Sequence, residues 1–452
     1  MRYIKSDKLI YIKGDKKNYL YHKYFGNLCL ITDETLNVLN SLDNTEISKL
    51  DEKIVEKLLD NYFIHEEDFN EDNYFEAEKI YRTQNLDSGY LVRGIQLILS
   101  NDCNFNCAYC FEDTNNCMDR KKLVKKDMPF HIADKAIEKA INNVKSNGNN
   151  NLTIEFFGGE PLLNWSTIKQ VFDKYEDGKK YDIQLFYTIT TNSALLNIEM
   201  LDYFEKYGCN LIISFDSPTN KERVHKDGRS VMDVVLPKLE MLSNRNINIA
   251  FNSVISQTTL RDYNNRELVN LADKYNIKNI GLILDLDANY YNTSYDTKQV
   301  QDLLIDTYCY AREKGINVTG YWEKIYSQII GNEPLYLLSG YKTCPATGCK
   351  LSIEPNGEVY ICKCCVQKVG DIEDYDNIYK SDIYKNYSNR IYKNSDSCAD
   401  CELDKFCSGV CMGSAEKKVG SIFYKENILC SLYKNITKNL ILSTPDDLLE
   451  VI

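Results

Sequence analysis

No stretch of this 452-residue sequence approaches the roughly 20 consecutive apolar residues that a bilayer-spanning helix needs. Residues 1–8 also lack the apolar centre of an export signal. Both absences lead to the expectation of a soluble, cytoplasmic protein with no membrane partner. A long basic run is missing too, and 66 acidic against 54 basic residues leave a formal charge of −12, so nucleic acid is not an expected partner. A disulfide framework is excluded on different grounds. The 17 cysteines are an odd number, and in a reducing cytosol such a density points to metal ligands or catalytic thiols.

The length allows two to four domains, each able to bury a core. The first 85 residues read as a small α+β unit, with short strands over 9–12, 19–21 and 28–31. Two helices are expected next. Asp33 would cap the first, which carries Leu36, Leu39 and Leu42, and the second would present Ile54, Leu58 and Tyr62 on one face. Residues 65–78 are acidic, rich in Asn and poor in apolar periodicity, which reads as a linker.

From residue 94 the texture changes to β-rich runs alternating with helical ones, the signature of parallel βα units. Six such runs occur, at 95–99, 152–157, 183–189, 211–215, 247–254 and 280–284, with helical stretches such as 132–144 between them. Six units can curl into an incomplete barrel whose reactive groups lie at the C-terminal ends of the strands. Beyond about residue 340 the periodicity fades, and ten of the 17 cysteines lie there. That region is expected to fold irregularly around metal.

Directly after the first run comes Cys103-Asn-Phe-Asn-Cys107-Ala-Tyr109-Cys110. Three closely spaced thiolates can hold three corners of a 4Fe-4S cube and leave one iron open. A zinc loop is the alternative. A second constellation, Cys398-x2-Cys401-x5-Cys407-x3-Cys411, is preceded by Cys344, Cys349 and Cys362 and followed by Cys430. Eight thiols suffice for two further clusters, or for two zinc sites. Gly357, five residues before Cys362, offers a turn where backbone would wrap an inorganic core. The remaining cysteines, Cys29, Cys117, Cys209, Cys309, Cys364 and Cys365, read as ordinary thiols. Only the Cys364-Cys365 pair stands beside a candidate ligand.

Together these motifs resemble the radical S-adenosylmethionine superfamily, in its branch with a C-terminal SPASM domain, over roughly residues 90–435. The resemblance implies an α/β fold: a partial (β/α)6 TIM-like barrel over residues 86–325, a winged-helix-like α+β domain over 1–85 and an iron–sulfur SPASM domain over 326–452. It implies that Cys103, Cys107 and Cys110 hold the S-adenosylmethionine-binding cluster, with Tyr109 against the cofactor. Gly158-Gly159-Glu160-Pro161, after the second run, is similar to the turn that binds the methionyl amino group. Thr190-Thr191-Asn192 resembles the ribose-contacting edge, and Ser214 with Arg229 the carboxylate contacts. His225 belongs to the same segment, in which Asp216-Ser217-Pro218 stands where relatives have Asp-Gly-Pro. Two auxiliary clusters are implied, one on Cys344, Cys349, Cys362 and Cys411 and one on Cys398, Cys401, Cys407 and Cys430.

The same resemblance implies a ribosomally made precursor peptide as substrate, its leader held along a sheet edge of the N-terminal unit. It also implies a flavodoxin- or ferredoxin-type electron donor. An oxidative crosslink, above all a Cys thioether, is the expected product. A carbon–carbon link, an epimerisation or sulfatase maturation are alternatives. The last is disfavoured because Lys363 stands where sulfatase-maturing relatives carry an acid. A multi-cluster electron carrier is the non-enzymatic alternative. It would not need the turn at 158–161, and no catalytic acid or base is identified from sequence.

Overall fold

The computed structural model describes residues 3–41, 51–110, 127–256, 260, 264–285, 297–392, 394 and 398–452. Short apolar runs broken by turn residues build the N-terminal unit. Its strands are β1 (Tyr3–Lys5), β2 (Leu9–Lys13), β3 (Asn18–His22), β4 (Gly26–Ile31) and β5 (Ile64–Glu66). β2, β3 and β4 form an antiparallel meander, and β1 pairs with β5.

Two helices follow β4, at Asp33–Ser41 and Glu52–Asp60. The Thr32 side chain accepts the Thr35 N–H at 3.2 Å, so Thr32 caps the first helix and Asp33 is already inside it. Leu42 falls outside the described residues. Tyr62 lies past the end of the second helix in a left-handed conformation, φ 58°, and not on its face.

The stretch expected to be a linker instead contains β5 and the start of a helix over Glu71–Asn85. The buried residues of that helix are Glu71, Phe75 and Arg82. Two charges and one aromatic make no apolar stripe, which is why periodicity missed it. Each charge has partners. His22 Nδ1 accepts the Tyr24 N–H at 3.1 Å, leaving Nε2 to donate to Glu71 at 2.9 Å. Arg82 donates to the carbonyls of Gly340 at 2.8 Å, Ser388 at 3.2 Å and Thr347.

The six expected strands follow as β6 (Gly94–Ser100), β7 (Asn151–Gly158), β8 (Gln184–Thr191), β9 (Asn210–Ser214), β10 (Ile249–Ile255) and β11 (Asn279–Leu284). All pair in parallel in chain order. Helices such as Phe130–Ser146 and Trp165–Tyr175 return the chain between them. On β7, Phe156 meets Phe172 of the second of these helices edge-on at 5.4 Å, whereas its neighbour Phe157 lines a cavity on the opposite face. The sheet therefore has an apolar face beneath helices and an inner face that is more open and polar, as a half-barrel requires.

β12 (Asn317–Thr319) adds to β11 in parallel, while β13 (Lys350–Ile353) pairs in parallel with β6 on the other side. β14 (Glu358–Tyr360) and β15 (Lys368–Asp371) extend that side antiparallel, giving ten strands in an open order from β12 to β15. Later segments are mainly helical, including Asp382–Asn389, Met412–Val419 and Asn427–Leu442. Finally β16 (Glu450–Val451) pairs in parallel with β4. Strand pairing thus crosses the expected division of the chain twice, with β13 on β6 and β16 on β4. Among the described residues no helix is long and apolar enough to cross a membrane.

Arg82 ties the N-terminal unit to the segment around residues 340–388, so Arg82→Leu removes a charged donor from three carbonyl oxygens. The variant is expected to lose about 2–4 kcal/mol of stability, read as a lower midpoint of urea unfolding. An unchanged midpoint contradicts the assignment.

Candidate active site

The loop that leaves β6 carries Cys103, Cys107 and Cys110, and residues 222–226 brace it through the backbone. Ala108 N–H donates to Glu222 O at 2.9 Å, Asn106 N–H to Val224 O at 2.8 Å, and Lys226 N–H to Asn104 O at 2.9 Å. Phe105 meets His225 edge-on at 5.2 Å. Cys103 Sγ accepts the Phe105 N–H at 3.4 Å and lies 3.7 Å from Asn192 Nδ2. Such donors favour the thiolate that a metal ligand must be, while burial pushes the free thiols up, that of Cys107 to about 12.

β7 ends against this loop with no space for side chains. A Cβ on Gly158, φ 146°, would lie 2.4 Å from Ser100 O, and one on Gly159 would lie 2.3 Å from Asp102 O. The N–H groups of Gly159 and Glu160 donate to those same two carbonyls, each at 2.8 Å. Glu160 does not reach the cavity. Its carboxylate is buried beneath the mouth, accepting from Leu162 N–H at 3.0 Å, Thr191 Oγ1 at 2.6 Å and Asn192 N–H at 2.8 Å. Burial raises its pKa to about 7 against the opposing pull of those donors. Pro161 opens a short 3-10 turn behind it. Glu160 and Pro161 therefore position the end of β8 rather than line the cavity.

Asp216, just after β9, is fully buried. It receives the Tyr109 hydroxyl, the Val254 N–H at 2.8 Å, and Arg223 through Nε at 3.2 Å and Nη2 at 3.4 Å. Burial works against the Arg223 charge, yet Asp216 holds its pKa well above the usual value. The Arg223 guanidinium also lies 5.5 Å from the centre of the Tyr109 ring. Arg229, by contrast, is half-exposed and paired with Asp227 at 2.7 Å, away from the cavity. The arginine at the site is Arg223, because the pairing of 222–226 with the cysteine loop turns that residue inward. Ser217 has no positive φ, so the turn accommodates serine in place of glycine.

These groups converge on one cavity of about 290 Å³. Its walls include Cys103, Cys107, Tyr109, Cys110, Gly158, Gly159, Thr190, Thr191, Asn192, Ser214 and Arg223. Asn252, Asp285, Tyr321, Cys364, Cys411 and Ser414 also line it, and sequence reasoning assigned none of these to the cofactor mouth. Asp285 is the one carboxylate among those lining residues. Its signal was available, since it directly follows the sixth strand where reactive groups are expected. Tyr321 is partly buried, and Cys344, then burial, then Cys411, Cys362 and Cys364 push its hydroxyl well above the usual value.

Behind that wall the C-terminal thiols form two groups. Hydrogen bonds from Cys364 and Cys365 hold the Cys362 thiol well below its usual value, and Cys364 also bonds to Cys411. Cys344 feels both Cys362 and Cys411. Cys349 is not part of this set. Its Sγ donates to Gly340 O at 3.3 Å, its charged neighbours are Arg82 and Arg93, and its carbonyl accepts the Arg93 N–H at 2.9 Å. The pairing of β13 with β6 fixes that orientation. Gly357 has φ 89° but sits in the turn between β13 and β14, where a Cβ would meet Ile372 at 2.8 Å, so it serves the hairpin and not a metal. In the other group Cys407 feels Cys430 and Cys401, and Cys430 feels Cys398 and Cys401. Between the groups, buried Arg390 donates to the carbonyls of Ile422, Ser408 and Val410. Lys363 is buried with its Nζ 5.0 Å from the centre of the Phe157 ring. Among the described residues no three metal-binding side chains converge on one ion. Thiols are the donor type that an iron–sulfur cluster takes at its corners.

The Radical SAM superfamily profile matches residues 97–275. The chain is 37% identical over 450 residues to the radical SAM cyclopropyl synthase TigE of Paramaledivibacter caminithermalis, covering 95% of this chain and 93% of that protein. Among solved structures, anSMEcpe with bound AdoMet aligns at TM-score 0.63 and 18% identity, over 78% of this chain and 96% of the other. Streptococcus suis SuiB bound to its precursor peptide SuiA aligns at 0.57 and 16%, over 95% and 99%. At such identities these two structures speak to the fold alone.

Glu160 supplies a pH test. Its folded pKa lies above the ordinary 4.5, so the folded state binds this proton more tightly than the unfolded chain. The contribution is full below about pH 4.5 and is lost as pH rises to about 7, on the order of 3 kcal/mol in all. Infrared difference spectra should show a protonated carboxyl band at pH 5.5 that fades by pH 8.5 and is absent from Glu160→Gln. A band unchanged by the substitution contradicts the assignment.

Proposed function

Since the chain belongs to the radical SAM superfamily of enzymes, we propose that it is a peptide maturase, one that takes a hydrogen atom from a ribosomally made precursor and closes a carbon–carbon ring within it. The observation that carries the reading is the single cavity joining the three-cysteine loop, the Gly158-Gly159 turn and one carboxylate, in a chain so similar to a cyclopropyl synthase. That likeness favours a carbon–carbon product over the thioether that the sequence led us to expect.

When bound, a cluster on Cys103, Cys107 and Cys110 with S-adenosylmethionine supplies the 5′-deoxyadenosyl radical, and two auxiliary clusters on the C-terminal thiols supply an acceptor for the second electron. The chain does the rest. Gly158 and Gly159 bring backbone against the methionyl group because no side chain stands in the way. Thr191 and Asn192 take the ribose. Ser214 and Arg223, not Arg229, take the carboxylate, with Asp216 holding the guanidinium in place. Tyr109, Phe157 and Tyr321 exclude water from the reacting carbon.

Ring closure removes two hydrogens from the peptide. One would leave as a hydrogen atom taken by the cofactor, and the other as a proton whose electron the C-terminal clusters would accept. Asp285 is the group at hand to receive the proton. A flavodoxin- or ferredoxin-type protein delivers the first electron. The winged-helix-like N-terminal unit holds the precursor's leader, and the region from residue 326 onward is the SPASM domain.

Anaerobic incubation with S-adenosylmethionine, dithionite and the short peptides encoded beside the gene is expected to yield 5′-deoxyadenosine and a peptide lacking two hydrogens with all its thiols still free. Loss of a thiol would return the thioether, and absence of 5′-deoxyadenosine would overturn the enzyme reading. Asp285→Asn should keep deoxyadenosine formation but lower peptide product about 10²–10⁴-fold; equal loss of both contradicts the proton-acceptor role. Cys362→Ser should lower iron and acid-labile sulfide by about a third, whereas Cys349→Ser leaves them unchanged. The reverse pattern restores Cys349 as a ligand.

A further inference from the structure

The outer edge of β4 is occupied by the chain itself. Glu450 and Val451 pair with Cys29 and Leu30, Ile452 N–H donates to Leu30 O at 2.8 Å, and Thr32 N–H donates to Ile452 O at 2.9 Å. Lys57 Nζ donates to Val451 O at 2.8 Å and lies 3.4 Å from Glu450 Oε1, while Asn61 Nδ2 donates to Glu450 Oε2 at 2.9 Å. Ile452, 4% exposed, packs among Cys29, Ile31, Leu39, Leu58 and Phe63. Strand pairing, a cationic and amide clamp for an acid, and an apolar slot two residues further on make a peptide-recognition groove of the strand-addition kind.

We propose that segment 445–452 is a self-bound strand in this groove, and that an extended segment of the precursor, carrying an acidic residue two positions before an aliphatic one, replaces it. The proposal rests on the peptide-maturase reading and adds to it the strand that fills the edge in the free chain and the sequence preference of docking. Of residues 445–452 only Ile452 is buried, while Asp446 pairs with Lys17 at the surface. Glu450 and Val451 are exposed, and Leu448 is 55% exposed. Burial of Ile452 alone is worth roughly ten- to a hundredfold in binding. Because the segment is tethered, even so weak a contact keeps the groove filled, at an effective concentration in the millimolar range. Release has a natural limit. Thr444 is buried, its Oγ1 donating to Leu440 O at 2.9 Å and lying 2.9 Å from the Tyr326 hydroxyl. An exposed strand edge invites unwanted pairing, so a self-bound strand also protects the free enzyme.

The probe is a fluorescein-labelled peptide of residues 445–452, Pro-Asp-Asp-Leu-Leu-Glu-Val-Ile, titrated by anisotropy. Chain lacking residues 445–452, and full chain carrying Ile452→Asp, should bind it at least tenfold more tightly than the intact chain. A probe carrying Glu450→Lys should fail on these chains and regain binding when they also carry Lys57→Glu. Equal affinity for all chains, or no binding by altered chains whose circular dichroism melts match the intact one, overturns the proposal. Hydrogen exchange on the intact chain is a check that needs no variant. The amide protons of Thr32 and Ile452 should exchange at least tenfold faster than those in the β3–β4 ladder, and equal protection contradicts an exchangeable strand. The maturase reading fails separately, by absence of 5′-deoxyadenosine formation, a readout that none of these titrations moves.

Discussion

The contact between the end of β7 and the loop leaving β6 sets the geometry of the whole site. Gly158 and Gly159 lie so close to Ser100 O and Asp102 O that any side chain at either position would force the two strands apart. Parallel pairing of β6 with β7 and of β7 with β8 carries this closeness across the sheet. Glu160 passes it to Thr191 and Asn192, and Asn192 reaches back to Cys103. Three strand ends and a cysteine loop are thereby locked into one mouth by short polar contacts, with little freedom left to lose when a cofactor arrives.

Opposite that mouth the walls are of another kind. Tyr321, Cys364 and Cys411 belong to the region after β12, which shares the main sheet through β13 but closes the cavity with helices and turns. Two thiol groups and buried Arg390 lie in the same region. The cavity therefore lies between the three-cysteine loop on one side and the thiols of Cys364 and Cys411 on the other. The Asp216–Arg223–Tyr109 cluster keeps a positive charge at the mouth without exposing it to water, and buried pairs of this kind are held by geometry more than by net energy.

Much of this was legible in the sequence, and the failures have physical causes. Runs such as 152–157 and 211–215 announce strands because a helix-covered parallel sheet needs continuous apolar residues. Cys103, Gly158, Asn192 and Ser214 could be placed at one mouth because each lies at or within a few residues of the C-terminal end of such a run. Glu71 and Arg82 hid a helix, since their burial is stabilised by specific partners that no periodicity shows. Arg223 and Arg229 lie six residues apart in one loop, and only its pairing with residues 104–108 decides which turns inward. Cys349 fits a ligand spacing, but the β13–β6 register turns its thiol toward Gly340. Asp285 was visible by position and went unassigned because its neighbours gave no motif.

The central claim is that the thiols of Cys103, Cys107 and Cys110 leave one coordination corner open to a methionyl group lodged against Gly158 and Gly159. Electron paramagnetic resonance of the dithionite-reduced protein, with S-adenosylmethionine labelled with nitrogen-15 at its amino group, tests it most directly. The account predicts a changed signal with hyperfine coupling to the labelled nitrogen, absent from Cys107→Ala. A spectrum unaltered by the labelled compound, in protein whose three thiols are intact and loaded with iron, would contradict it.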